Sequence, residues 1–249
     1  VSRITRSAVV ATFVRSFLIQ AAWNYRTMLG AGFGFSLLPG LRRVYAEDPD
    51  GLEAAVERHL EHFNAHPYLS GIALGAVLRL EDDGVDEETV RRFKVAVRGP
   101  LGSLGDRLVW ATWLPLVAMA SLVLYWLGAG WVSVTVFFLA VYNAGHLGLR
   151  AWGLRVGLEA GRDVAGRLAS ARIGERSAQV QPFGALLVGA LVAVLLVGPL
   201  AGGGGRGVWV GLGAAAFIAG LAGGHRIWRP AAVGTVVSVC LISLLGVLR

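Results

Sequence analysis

The chain changes character near residue 107. Before that point apolar residues come in short groups broken by charge; after it they run in long, nearly unbroken stretches. Five of these stretches, 108–128, 130–149, 183–201, 207–223 and 231–248, are long enough, or nearly so, to cross about 30 Å of hydrocarbon as helices. The fourth is the weakest, being rich in Gly and Ala. Almost nothing separates the first two, which predicts a tight helical hairpin with a charge-free turn.

The first 107 residues follow other patterns. Residues 3–28 read as an amphipathic helix, with Ser16, Gln20, Asn24 and Thr27 recurring at spacings of three and four opposite Phe13, Val14, Phe17, Leu18, Ala21 and Tyr25. Residues 52–64 predict a charged helix. "PYLSGIALGAVLRL" is apolar but too short to span, the length of a re-entrant or buried segment. The acidic "EDDGVDEETV" predicts a solvated turn leading into a basic helix at 90–97. A short apolar segment near lipid has to be enclosed by protein or line a cavity, because its backbone groups find no partners among lipid tails. This half is therefore expected to be part of the membrane protein and not a separate soluble domain.

Charge then sets the orientation. "RAWGLRVGLEAGRDVAGRLASARIGERSAQVQ" carries six arginines against three acids, and Arg226 with Arg229 forms the second basic loop. Basic loops alternate with turns that are charge-free or nearly so, so the positive-inside rule places residues 1–107, 150–182 and 224–230 in the cytoplasm and the C-terminus outside. The expected division is 1–107 as an amphipathic and re-entrant helical part, 108–182 as a transmembrane hairpin with arginine-rich helices, and 183–249 as C-terminal spans. The expected fold is all-α: a multi-pass membrane protein with amphipathic and re-entrant helices in the N-terminal half and about five transmembrane helices.

Composition agrees. Of 249 residues, 55% are hydrophobic and 16% charged, where soluble domains carry about 25% charged residues; mean hydropathy is +0.61. The net charge of +7 is scattered between apolar runs, which argues against the clustered stripe that nucleic-acid binding requires. Cys240 is the single cysteine, so an intrachain disulfide is excluded and zinc or redox chemistry has no support. "SAVVATFV" is short and is soon interrupted by Arg15, so no cleavable signal peptide is expected.

The glycine-rich "GAGFG" at 30–34 and "GGGGRG" at 202–207 lack the preceding strand and the terminal Gly-Lys-Ser/Thr of a phosphate loop. Pairs at spacing four, including Gly30/Gly34, Gly71/Gly75 and Gly153/Gly157/Gly161, read as close helix packing. His59, His62 and His66 stand at i, i+3 and i+7 and could bind a metal from one helical face, although Pro67 takes His66 off that face. No metal or cofactor is expected. Gln20, Trp23 and Asn24 put an aromatic surface beside amide donors and acceptors, which suits a neutral polyhydroxyl ligand; the same residues also fit an interfacial helix with a tryptophan at headgroup level. Asn64, in "HFNAHPY", is either a helix C-cap or an amide at a helix break beside an apolar segment. Asp106 is either a pathway carboxylate or one half of an ion pair with Arg107.

Four motifs carry a resemblance to a known family: "RSFLIQAAWNYRTMLGAGFGFSLLPGLRRVY", "VERHLEHFNAHPYLSGIALGAVLRLE", "KVAVRGPLGSLGDRLVW" and "YNAGHLGLRAWGLRVGLEAG". In this order and spacing, over about residues 13–170, the chain resembles the IID component of the mannose/fructose/sorbose family of the bacterial phosphoenolpyruvate-dependent sugar phosphotransferase system. The resemblance implies a membrane subunit that forms the translocation unit with a IIC subunit, as a hetero-oligomer in the bacterial inner membrane, with a core domain moving elevator-fashion against a scaffold. It implies no catalysis on this chain: soluble IIA and IIB proteins carry the phosphoryl group to a hexose-type sugar. Substrate contacts are expected from Gln20, Trp23, Asn24, Asn64 and Asp106, and IIB docking from the basic cytoplasmic face. Where the family reads Gly-Asp-Pro, this chain has Gly105-Asp106-Arg107. "GPLGSLGD" is expected to form a re-entrant turn that brings Asp106 to the sugar route. Two other readings remain at this point: a non-transporting IID-like scaffold or regulatory subunit, and a membrane metal enzyme using the three histidines.

Overall fold

The computed structural model describes residues 2–172 together with Glu175 and Gln179. The expected spans 183–201, 207–223 and 231–248, the glycine stretch 202–207, the loop 224–230 and Cys240 lie outside the described residues. Among the described residues every regular element is a helix, and extended pairing is limited to two isolated bridges, Asn24 with Met28 and Met28 with Phe63. In chain order these are α1 (Arg6–Ser16), α2 (Gly30–Val44), α3 (Pro49–Leu60), α4 (Ser70–Asp82), α5 (Glu87–Gly105), a π-helical segment (Asp106–Trp113), α6 (Leu114–Trp126), α7 (Trp131–Ala160), a 3-10 turn (Gly161–Asp163) and α8 (Val164–Ser170). The chain forms two compact units, one joining Val1–Arg107 to Ala144–Ile173 and the other containing Leu108–Asn143.

The first unit is built around α4. Eleven of its thirteen residues are buried, and α1, α2 and α5 pack against it. The short apolar segment is thus enclosed by protein, which removes the problem of its length. Its remaining face meets α7 backbone to backbone. A Cβ on Gly71 would lie 2.9 Å from the Arg150 carbonyl oxygen, and one on Gly153 3.0 Å from Ile72 Cγ1. At Gly75 and Gly157 an added Cβ would overlap the carbonyl oxygens of Leu154 and Ile72. Two of the spacing-four glycine pairs are therefore the two sides of one contact. Gly30 meets the Leu60 and Glu61 carbonyls in the same way, where α2 crosses the end of α3.

At the far end of α4 the fold closes on a buried carboxylate. Glu81 accepts from Arg58 (Nε 2.9 Å, Nη2 2.6 Å), from His59 Nε2 at 2.7 Å and from the Tyr45 hydroxyl at 2.5 Å. Lys94 on α5 donates to the Arg58 carbonyl. Burial raises the Glu81 pKa, but the hydrogen bonds from His59 and Arg58 outweigh it and hold it at about 2. Burial lowers His59 to about 4 despite Glu81, so the ring is neutral. With its Nε2 proton directed at Glu81, the ring leaves only a lone pair at Nδ1, which has no partner.

Helix starts follow local chemistry. Thr5, Asp48 and Asp86 accept from Ala8, Gly51 and Thr89 amides, and Glu87 and Glu88 fill the first turn of α5. Two expectations change. The amphipathic helix expected over 3–28 ends at Ser16. Beyond it come single turns through residue 23 and then the bridge at Asn24, because the Ile19 backbone lies directly on Gly32 of α2 and the chain has to bend around it. "GPLGSLGD" is helical and not a re-entrant turn: α5 continues through Pro100 to Gly105 and passes into the π segment. Of its glycines Gly105 serves packing, since a Cβ there would collide with the His66 side chain, whereas Gly99 and Gly102 have room for one.

In the second unit α6 and the start of α7 form the expected hairpin, turning through Gly128 at φ +97°. Tyr125, Trp126 and Trp131 are exposed around this charge-free turn, the composition of a headgroup-level aromatic belt. Two helical runs, Glu87–Trp126 and Trp131–Ser170, are long and apolar enough to cross a membrane. The arginine-rich stretch expected as a loop from residue 150 starts as helix: α7 extends to Ala160, Arg155 pairs with Glu159, and Arg150 is buried.

The glycine contact predicts a contrast within one helix. Gly157→Val on α7 forces backbone apart and should lower the thermal unfolding midpoint in detergent, with a cost at or above the usual 1–3 kcal/mol of overpacking, about that size for a flexible site. Gly148→Ala on the same helix, where nothing lies within 4 Å, should be neutral or raise the midpoint, since Ala favours helix by about 1 kcal/mol. Equal effects of the two changes would refute the contact.

Candidate functional site

Three segments of the first unit border an open, mostly polar cavity of about 200 Å³, lined by Gln20, Trp23, Leu29, Asn64, Ala65, His66, Pro67, Gly102 and Asp106, of which Gln20, Trp23, Asn64 and Asp106 are exposed. Gln20 and Trp23 come from the turns after α1. Asn64 to Pro67 belong to the connector between α3 and α4. Gly102 and Asp106 come from the end of α5 and the start of the π segment.

Backbone hydrogen bonds stitch the first two walls together. Leu29 N–H donates to the Phe63 carbonyl at 2.8 Å, and Phe63 N–H donates to the Thr27 carbonyl at 3.2 Å. Phe63 is fully buried with its ring 4.1 Å from that of Phe33, which anchors the connector beneath Asn64. Asn24 shapes the first wall from outside the cavity. Its Oδ1 accepts from the Arg26 and Thr27 amides, and its Nδ2 donates to Thr27 Oγ1 at 2.8 Å and the Ala22 carbonyl. These are the bonds of an asparagine turn.

Four of the five residues singled out from sequence therefore line one cavity, and the fifth holds the turn that carries Trp23. The side chains of Gln20, Trp23, Asn64 and Asp106 take part in none of the hydrogen bonds among the described residues. Asp106 makes no ion pair there either, so the Asp106–Arg107 pair weighed from sequence does not form. An indole N–H, two amides and a carboxylate thus converge with their capacity unused, which is the donor and acceptor set for a ligand rich in hydroxyls.

His66 and the glycine face opposite it were not picked out as site residues. The His66 imidazole fills the space left by the missing Cβ of Gly105. Its Nδ1 accepts from Tyr68 N–H at 3.2 Å, which puts the proton of the neutral ring on Nε2. Burial lowers its pKa to about 4, with Asp106 acting in the opposite sense. A glycine directly before a charged residue, in a helix, was the available sign that a neighbouring side chain needs room.

The three histidines serve separate places. His59 is in the Glu81 network, His62 is exposed beside Arg98 at 3.0 Å, and His66 is in the cavity. α3 ends at Leu60, so the helical face that would have aligned them does not exist. Among the described residues no group of three metal-ligating side chains is assembled.

The sequence profile described as the PTS system mannose/fructose/sorbose family IID component matches residues 3–198. The chain is 30% identical over 201 residues to the mannose-specific EIID component of Escherichia coli K12, covering 76% of this chain and 68% of that protein. It is 34% identical over 178 residues to the sorbose-specific EIID component of Lacticaseibacillus casei (67% and 61% covered) and 28% identical over 198 residues to the fructose permease IID component of Bacillus subtilis (77% and 70%). Among solved structures it is similar to a chain of the mannose transporter ManYZ in complex with microcin E492, with a TM-score of 0.61 and 29% identity over 77% of this chain and 71% of that one. A second, described as a membrane protein, gives a TM-score of 0.67 and 31% identity over 76% and 70%.

The cavity should keep a neutral imidazole under mild acid. His66 is lowered from 6.5 to about 4, so as pH falls below 6.5 the unfolded chain takes up a proton that the folded one refuses, and stability is lost progressively towards pH 4. In spectra of histidine-labelled protein at pH 5, His66 should remain neutral with its proton on Nε2. A charged His66 at that pH would contradict the burial and the Tyr68 contact.

Proposed function

We propose a function from one premise: the chain belongs to the mannose/fructose/sorbose family of phosphotransferase-system IID components. It is a membrane subunit of that system's sugar permeases, and in the proposed reading it forms the translocation unit with a IIC subunit in the bacterial inner membrane. Soluble IIA and IIB proteins supply the phosphoryl group, and this chain takes no part in the chemistry. Five spans, a cytoplasmic N-terminus, and the order 1–107, 108–182 and 183–249 along the chain complete it. The charge-free turn at 127–130, flanked by Tyr125, Trp126 and Trp131, and the arginines of α7 and α8 support the orientation by the positive-inside rule.

The observation that carries the reading is the convergence of Gln20, Trp23, Asn64 and Asp106, polar and uncommitted, on one cavity. A hexose presents C–H faces for an indole and hydroxyl pairs for amides and a carboxylate. Gln20 and Asn64 then serve as hydroxyl donors and acceptors, Trp23 as the stacking surface, Asp106 as acceptor, and Asn24 as the residue that holds Trp23 in place. A neutral His66 adds a polar wall without a competing charge. The metal-enzyme reading loses its ligands once the three histidines are separated, and no observation favours a non-transporting scaffold.

Sugar uptake tests the site. In cells expressing the matching IIC, Asn64→Ala removes hydrogen bonds worth about 0.5–1.5 kcal/mol each and should weaken apparent affinity about tenfold, with the subunit still inserted and paired. Trp23→Ala should do the same. Unchanged affinity in both variants would locate the sugar elsewhere, in IIC alone. Topology has its own test. In a Cys240→Ser background, Ser170→Cys on the exposed end of α8 should resist membrane-impermeant thiol reagents in intact cells and react once the cells are opened. Rapid labelling of intact cells would reverse the orientation.

A further inference from the structure

One buried cation near the cavity has no role in the transport reading. Arg150 is only 4% exposed on α7, and among the described residues it meets no carboxylate. Burying a guanidinium without a counter-ion is costly, and an apolar side chain would fill the space with no such cost. The charge has to be doing something that packing alone does not require.

Its contacts show what that is. Nη1 donates to the Ser16 carbonyl at 2.6 Å and to Ser16 Oγ at 3.2 Å, at the last residue of α1, where a helix presents its partial negative charge. Nε donates to His146 Nε2 at 2.7 Å, one turn back on α7, which makes that ring a neutral acceptor. The guanidinium plane also covers the rings of Phe17 at 5.0 Å and Tyr68 at 5.3 Å. His146 in turn stacks on Tyr68, 3.8 Å between centroids and 17° between planes.

Together these contacts lead to two walls of the cavity. Ser16 and Phe17 open the run of turns that carries Gln20 and Trp23. Tyr68 closes the connector that carries Asn64, and its N–H holds His66 while its ring meets the His66 ring edge-on at 5.1 Å. Only a planar fork bonds Ser16 and His146 together while stacking on two aromatic faces; a lysine ammonium has one nitrogen for both. Directly below, Gly153 and Gly157 on the same helix fix α7 against α4, so the guanidinium is held from a rigid base.

We propose that Arg150, with His146 as its acceptor, is the positioning residue of the sugar cavity: it holds the Gln20–Trp23 wall and the Asn64–Pro67 wall at a fixed separation from α7. The proposal rests on the assignment of that cavity as the sugar site.

The test uses the purified complex with its IIC partner and two readouts. Hydrogen exchange by mass spectrometry follows the walls without reference to any sugar, and calorimetric titration with mannose, fructose and sorbose follows binding. Arg150→Lys should speed exchange about tenfold in both 17–29 and 64–69 while the Glu81 network around 58–60 stays protected; where a sugar binds, its dissociation constant should rise by about the same factor. His146→Leu, which leaves the charge in place but removes its acceptor, should do likewise, and His146→Gln, which restores an acceptor, should recover most of the loss. If Arg150→Lys does not assemble, the two His146 variants decide. Unchanged exchange in both walls, or an equal rise throughout α1 to α4, would overturn the proposal. Loosened walls together with sugar binding that Asn64→Ala leaves untouched would instead sink the site assignment and leave the positioning role standing.

Discussion

At Gly75 and Gly157 two helices touch through their backbones, so closely that a methyl group on either would overlap a carbonyl oxygen of the other. Lipid provides little hydrophobic drive for helices to associate, so close packing of this kind carries much of the association. Its consequence is positional. With no side chain between them at these glycines, α4 and α7 have one register, and the residues at the ends of the contact are fixed with it. Arg150 stands at one end, beneath the cavity, and Leu154 and Leu158 pack along the middle. The helix too short to span lipid becomes the axis on which the longer elements are placed.

The opposite end of α4 uses charge where the middle uses contact. Glu81 is buried in the company of Arg58, His59 and Tyr45, and a buried ion pair is not in itself a net source of stability. What the network adds is direction. Four hydrogen bonds, one from Tyr45 at the C-cap of α2 and three from α3, meet two carboxylate oxygens, and an alternative register would leave that carboxylate unpaired at a cost of about 3–5 kcal/mol. Burial drives Tyr45 up to about 12, His59 remains neutral, and a single negative charge faces a single guanidinium. The two ends of α4 thus fix the connector between α3 and α4, which supplies Asn64 and His66 to the cavity.

Much of this was legible in the sequence because it is written in residue type. Gln20, Trp23, Asn64 and Asp106 stand out as polar groups among apolar neighbours, and the spacing-four glycines announce close packing. The places where the reading failed share one cause: a local pattern overridden by a distant contact. The helix expected over 3–28 stops at Ser16, whose carbonyl is capped by a residue 134 positions away. Asn24 joined Gln20 on a helical face that this stop abolishes, so its amide closes a turn. "GPLGSLGD" has the composition of a turn, yet the segment is helical and its Gly105 makes room for His66. The sequence groups Arg150 with the solvated arginines of a loop, and no periodicity reveals that, among the described ones, it alone is buried.

These corrections bear on how a polar cavity is kept open. Uncommitted amides and a carboxylate tend to find each other or a neighbouring backbone group, as Asn24 does, and a site left to itself would close on its own hydrogen bonds. In this fold the capable side chains are kept apart by what lies behind them: Phe63 against Phe33 under Asn64, the Asn24 turn behind Trp23, Gly105 beneath His66. None of these supports touches the cavity through a charge. The cation that reaches both walls does so through Ser16 and Tyr68, neither of which lines the cavity. That arrangement suits a neutral, hydroxyl-rich cargo in a transporter, where binding has to be specific in geometry and still weak enough to release.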